Sequence, residues 1–507
     1  MPGGDPAALR AYHEATKHSP ASVYGARHTL DWGIMPRPFK VYPDLEPIAL
    51  PRDFESSTRP ALAALADPGA TGDGPPLDRA ALARLLFFSA GIVRTRRYPG
   101  GEIHFRAAAC TGALYHVDLY LVCGALADLD AGVYHFGPHD FALRRLRPGD
   151  HRGAVVAATA AEPAVAAAPV LVLFATTFWR NAWKYRARAY RHAFWDSGTI
   201  LANLLAVAAA TGVPARVVLG FVDGALDALL DLEPMREATL GVVALGRGGP
   251  PAPAPPHAPP LALATLPPSA REVDYPAIRD AHRAAALADA DAVAAWRGTL
   301  PPGPLAPAAA PGTPLPPARP DAVREPIERV VLRRGSARAF AESPIALAEL
   351  GAILDVATRG FSADFAAPAR PLADAYVIVH AVDGVPPGAY VHDRARATLV
   401  PLRAGSFRRE AGHLALGQAL AAAAAADVFW LADLERVLAR FGARGYRAAQ
   451  LAAAVEGGRA YLAAYALGLG ATGLTFFDDD VTAFFSPHAA GKSVLFLLAV
   501  GHPRRGR

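Results

Sequence analysis

The apolar positions fall into patterns that occur twice along the chain. Leu82-x-x-Leu85-Leu86 returns as Leu350-x-x-Ile353-Leu354, and steps of three and four place such residues on one helix face. Arg188-Ala-Tyr190-Arg191 returns as Arg444-Gly-Tyr446-Arg447, 256 residues later. Each opens a long Ala/Leu-rich run ending near a glycine, Gly212 or Gly468, which predicts a long buried helix. A short β-type run follows, Val217–Val222 or Leu474–Phe477, and then Asp223 with Ala228-Leu-Leu230 or Asp478 with Ala483-Phe-Phe485. Each copy closes on an apolar strand, Val242–Gly246 or Phe496–Gly501. Order, spacing and residue type agree over about 65 residues. The pattern predicts an α+β fold built from two fused copies of one domain.

Composition changes sharply between the copies. Prolines crowd residues 250–260 and again 301–320, where they oppose both helix and ladder and favour an extended linker. Pro276 suits a first helical turn and Gly298 a stop. The expected division is residues 1–248, a linker 249–321 carrying one helix, and residues 322–507.

With 507 residues, 52% hydrophobic and 19% charged, the chain is long enough and apolar enough for large packed cores, which excludes a mostly disordered protein. The net charge of +5 is small, and the arginines are spread along the chain, so no nucleic-acid-binding stripe is expected. Cys110 and Cys123 alone make neither a disulfide framework nor a cysteine zinc site. No metal is expected, and a cytoplasmic setting is the default. The apolar stretches Ala154–Phe178 and Leu414–Leu431 are interrupted by Glu162, Pro163 and Pro169, and by Gln418 and Asp427; they read as buried elements, not membrane spans.

Some motifs lose their meaning in context. Gly468-x-Gly470-x-x-Gly473 spells a dinucleotide fingerprint, but it follows a helix and precedes a strand, the reverse of what that site needs. Asp478-Asp479-Asp480 reads as a solvated strand-to-helix turn with capping carboxylates. Three clusters retain chemistry. Arg334-Gly-Ser336-Ala-Arg338 places two guanidinium groups and a hydroxyl close together, a donor set suited to phosphate. Arg106-Ala-Ala-Ala-Cys110-Thr111-Gly112 is a small-residue turn that lets backbone approach a planar ligand. Lys184-Tyr185 joins a scarce lysine to a phenol; the matched residues of the second copy are Arg440-Phe441, without a hydroxyl. A neighbouring cation favours phenolate, so the pair is expected to transfer protons, with cation–aromatic packing as the plainer alternative.

On these residues the chain resembles the nitroreductase superfamily, and within it the SagB/ThcOx-type azoline dehydrogenases, over both halves but not the linker. Arg334-x-Ser336-x-Arg338 resembles the superfamily's flavin-phosphate motif. Arg106 through Tyr115 resembles the family's Arg-x-x-Pro-Ser-x-Gly-Ala-Leu-Tyr segment, with Ala109-Cys110 in place of Pro-Ser and His116 where a proline is usual. Trp183-Lys184-Tyr185 resembles its Lys-Tyr region. The resemblance implies FMN, held by Arg334, Ser336, Arg338, Arg106, Cys110, Thr111 and Gly112. It also implies contacts from Gly470, Ala471, Thr472 and Gly473 at the ring and from Arg504 and Arg505 at the phosphate. Lys184 and Tyr185 are the implied catalytic pair.

The implied activity is oxidation of azoline heterocycles to azoles in modified-peptide or related natural-product biosynthesis. An NAD(P)H-dependent nitroreductase or quinone reductase is the alternative on the same fold, and a non-catalytic flavin- or peptide-binding scaffold the alternative of another class. The expected partner is a small-molecule or peptide substrate, with neither nucleic acid nor membrane. The halves are expected to form a pseudo-dimer within one chain, with further oligomerisation open, and to build one full flavin site across them.

Overall fold

The computed structural model describes residues 3–504 except 26–28, 70–71, 100, 302–310 and 368–369. Each copy contributes one large antiparallel sheet, and the first copy adds a two-stranded one, Ile92–Tyr98 with Gly101–Arg106. From edge to edge, the first runs Pro47–Ala49, Ala142–Pro148, Gly132–Gly137, Val117–Cys123, Val170–Thr177, Glu237–Leu245 and Ala215–Val218. The second runs Thr313–Pro314, Thr398–Ala404, Gly388–Asp393, Asp374–Val379, Ala426–Ala432, Ser493–Pro503 and Phe340–Ala341, with Gly470–Gly473 also paired to Ser493–Pro503. Central strands such as Val170–Thr177 and Ala426–Ala432 are buried along their whole length, which is why they read as continuous apolar runs instead of alternating ones.

The two long helices, Ala189–Ala210 and Arg444–Ala466, pack against each other at the centre of the molecule. Their backbones meet at glycines. A Cβ on Gly198 would lie 2.4 Å from the Ala454 Cβ, and one on Gly458 would lie 2.7 Å from the Ala202 Cβ. Small residues set this close crossing, as the Ala-rich composition allows. Phe178–Ala210 is long and apolar enough to cross a bilayer, yet 94% of its most apolar window is buried inside the protein.

The sequence markers of the repeat turn out to hold the halves together. Arg188 and Arg191 donate to Asp478 at 2.9 and 2.7 Å, while Arg444 and Arg447 donate to Asp223 at 2.6 Å each. Every ion pair crosses between the copies, and all six side chains are buried. Asp478 therefore corrects the expectation of a solvated turn; only Asp479 and Asp480 sit at the surface, paired with Lys17 and His413. Burial alone would raise the Asp223 carboxyl, but Arg444 and Arg447 override it and hold it at about 2. Asp478 is likewise held well below the ordinary carboxylate range, burial being outweighed by Arg188 and Arg191.

The segment between the copies carries two helices, Pro276–Ala284 and Ala290–Trp296, where one was expected. The first is the second copy's version of the N-terminal helix Pro6–Ala15. Arg191 donates to the His13 carbonyl and Arg447 to the His282 carbonyl; Arg188 donates to the Thr16 carbonyl and Arg444 to the Ala285 carbonyl. The amides of His18 and Leu287 donate to Asp478 and Asp223. The repeat thus begins well before residue 322. Its sequence trace is faint because these bonds use backbone carbonyls, which place little demand on side-chain identity.

Candidate functional site

A cavity of about 240 Å³ lies between the halves. The first copy lines it with Cys110, Thr111, Gly112, Tyr185, His192 and Asp196, the second with Ser336, Gln418, Tyr461, Gly473, Thr475 and Phe476. Neither copy could build it alone.

Asp196 organises the first wall. Its carboxylate accepts from the Thr111 amide at 2.9 Å, the Thr111 hydroxyl at 2.7 Å, the Cys110 thiol at 3.0 Å and His116 Nε2 at 2.9 Å. A carboxylate oxygen accepts, so His116 donates to Asp196 from Nε2, and its Nδ1 lies 2.9 Å from the Thr176 hydroxyl. Thr199 ties the same turn down by donating to the Ala109 carbonyl at 2.7 Å. Burial, reinforced by Asp196, pushes the Cys110 thiol well above its usual range, so it stays protonated. His116, standing where the resembling family has proline, is thus a support for the turn.

Gly112 has φ +63°, and a Cβ there would lie 2.7 Å from the Tyr185 hydroxyl. Glycine is required both for the left-handed backbone and for the phenol's approach. Tyr185 ends the helix Phe178–Tyr185. Burial, followed by the charge of Asp196, pushes its phenol well above the ordinary value. This reverses the expectation that Lys184 favours a phenolate: at neutral pH Tyr185 is a protonated donor. Lys184 is exposed and does not line the cavity; its Nζ stands 5.3 Å from the Tyr185 ring centre. Successive helical residues point about 100° apart, in keeping with Tyr185 lining the cavity and Lys184 standing outside it.

The next residue, Arg186, is held at φ 54°, ψ −141°, where the matched residue of the second copy is Gly442 at φ 61°. A side chain in that region costs about 1–3 kcal/mol. Arg186→Gly should therefore stabilise the fold by about 1 kcal/mol after the added unfolded-chain entropy, read as a higher denaturation midpoint; an unchanged or lower midpoint would contradict the strain.

The phosphate-type cluster divides. The Arg334 guanidinium donates to the carbonyls of Arg106 and Ala107 at 2.9 and 3.2 Å, so it is a strut between the halves and not a free clamp. Ser336 lines the cavity and accepts from the Tyr461 hydroxyl at 2.9 Å. Arg338 and Arg504 are exposed, and among the described residues neither side chain has a hydrogen-bonded partner. The two are brought together by the Arg504 amide, which donates to the Ala339 carbonyl. Arg505 lies outside the described residues. Arg106 is buried, with its guanidinium donating to the Pro38 carbonyl at 2.7 Å and resting on the Phe39 and Tyr115 rings, which corrects its assignment to the cofactor. Ala471 accepts from the Ala337 amide, and Gly470 packs on Ala337 and Pro503. Thr472 is buried, so of these four residues Gly473 alone lines the cavity.

The pseudo-symmetric position is filled with protein. Trp296 is fully buried there, donating from Nε1 to the Phe441 carbonyl at 3.0 Å. Asp364 accepts from the amides of Leu219 and Gly220, residues that match Leu474 and Thr475 of the open cavity at an offset of 255. The polar groups of the first wall have apolar counterparts: Asn181, Tyr185, His192, Asp196 and Thr199 match Val437, Phe441, Ala448, Ala452 and Val455. Sequence reading singled out only Tyr185 of these; comparing the copies position by position would have found the others.

A family model described as the nitroreductase family matches residues 75–247 and again 331–502. MJ1384 of Methanocaldococcus jannaschii, described as a nitroreductase, is 31% identical over 168 residues, 32% of this chain and 85% of that protein. A crystal structure from Anabaena variabilis, also described as a nitroreductase, superposes with a TM-score of 0.78 at 25% identity, covering 98% of this chain and 99% of that one. The likeness therefore includes both halves and their mutual arrangement.

Proposed function

The chain belongs to the nitroreductase family, and on that premise we propose that it is an FMN-dependent dehydrogenase that oxidises azoline-type heterocycles to azoles. The observation that carries this reading is the Tyr185 phenol lining a cavity built across both halves. The cavity suits a flavin in its chemistry. Gly473 leaves space at the wall, and the buried Thr475 hydroxyl has no partner among the described residues. Arg338 and Arg504 are exposed cations without a hydrogen-bonded partner among the described residues, and Ser336 brings a hydroxyl to the cavity.

When bound, FMN supplies a two-electron acceptor for hydride. The chain's residues then do the rest. The turn Cys110–Gly112, fixed by Asp196, shapes the first wall. Tyr185 donates a hydrogen bond to the substrate heteroatom on which negative charge gathers as a neighbouring carbon loses its proton. Phe476 and Trp195 exclude water.

Purified protein should be yellow and release FMN on denaturation. Arg338→Ala removes a charge-assisted contact of about 1.5–3 kcal/mol, so flavin affinity should fall about tenfold or more; unchanged affinity would remove Arg338 from the site. Anaerobic reduction of the bound flavin by a thiazoline-containing peptide tests the activity. Reduction by NADH alone would favour the reductase reading, and colourless protein that FMN does not reconstitute would favour a scaffold.

A further inference from the structure

His192 stands on the cavity wall with no role so far. Its ring meets Tyr185 edge-on at 4.6 Å and lies tilted against Trp195 at 4.9 Å. It is 2% exposed yet lines the cavity. Its Nδ1 lies 2.8 Å from Asn181 Oδ1. A carboxamide oxygen only accepts, so Nδ1 carries the hydrogen, and a neutral ring then keeps a lone pair on Nε2. Among the described residues nothing donates to Nε2. Burial above all, with Arg188 and His116 adding to it, lowers the imidazole's proton affinity well below the ordinary value, so the ring is neutral at physiological pH. Asn181 and His192 are matched in the closed half by Val437 and Ala448: the tautomer-setting amide and the imidazole occur only where the cavity is open.

We propose that His192 Nε2 is the proton acceptor of the reaction, a role the exposed Lys184 cannot fill. The proposal rests on the dehydrogenase reading. One ring carbon of the azoline loses hydride, with its electron pair, to the oxidised flavin. The adjacent carbon loses its proton to Nε2, and that C–H electron pair becomes the new ring double bond. The imidazolium would pass its proton to water, and bound FMN would be returned to its oxidised form by dioxygen, which takes up two electrons and two protons and leaves as hydrogen peroxide. Tyr185 donates to the heteroatom throughout, so donor and acceptor sit side by side on one wall.

Two measurements test this. Ring ¹⁵N NMR of the FMN-loaded wild type should show His192 with Nδ1 protonated and Nε2 bare. In anaerobic flavin reduction, His192→Gln should slow reduction by a thiazoline peptide about 10²–10⁴-fold. It should slow reduction by NADH far less, because NADH gives up hydride without losing a proton to the protein. A proton on Nε2 overturns the assignment whichever donor the protein accepts, and so does an equal loss against both donors, which would mark a packing role. A wild type reduced by NADH but not by the thiazoline peptide instead contradicts the dehydrogenase reading, and is told apart by the NMR result.

Discussion

Asp478→Ala should cost the fold about 3–5 kcal/mol, the usual penalty for removing one partner of a buried ion pair. Arg188 and Arg191 would be left unpaired at 3% and 0% exposure, and the His18 amide would lose its acceptor. Asp223→Ala should match it, because Arg444, Arg447 and the Leu287 amide depend on Asp223 in the same way. Asp479→Ala is the control. Its partner Lys17 faces an aspartate that is 73% exposed, and such pairs contribute about 0–1 kcal/mol. Denaturant unfolding followed by tryptophan fluorescence would read all three. The pH dependence has a fixed sign. Both carboxyls titrate lower in the folded state than in the unfolded chain, so their stabilisation is complete above the unfolded value of about 3.9. It is lost as pH falls towards the folded values, about 2 for Asp223. Acid should therefore loosen the contact between the halves. An Asp478→Ala protein as stable as the wild type would contradict the role given to these clusters.

Tyr185→Phe should keep FMN and slow substrate-driven flavin reduction about 10²–10³-fold, the typical loss for one preorganised donor in a water-poor site. The ring packing against His192 survives the change, so the loss belongs to the hydroxyl. Lys184→Ala should change little, since the lysine lies outside the cavity. The reverse result, a slow Lys184→Ala and a normal Tyr185→Phe, would return the catalytic role to the lysine. Anaerobic stopped-flow measurement of flavin reduction separates the two.

The duplication was legible because its markers are side chains fixed by buried charge. Arg188, Arg191 and Asp478, with Arg444, Arg447 and Asp223, recur at constant spacing. Their pairing across the molecule was not legible, since partners 221 to 290 residues apart leave no local pattern. The same limit hid Asp196. Within its own helix it is one of several polar residues, beside His192, Ser197 and Thr199, and its meaning comes from Cys110, Thr111 and His116. Arg106 and Arg334 misled for the opposite reason. Arg334 is spaced with Ser336 and Arg338 as a phosphate needs, and Arg106 opens the turn that resembles a flavin contact, but backbone carbonyls claim both guanidinium groups. Lys184 and Tyr185 are adjacent in sequence, and helical geometry separates them.

The central claim is that the two copies together build a single flavin site. Titrating flavin-free chain with FMN, followed by quenching of flavin fluorescence, tests it most directly. The account predicts saturation at one FMN per chain, because Trp296 and Asp364 fill the pseudo-symmetric position; saturation at two, or no binding at all, would contradict it.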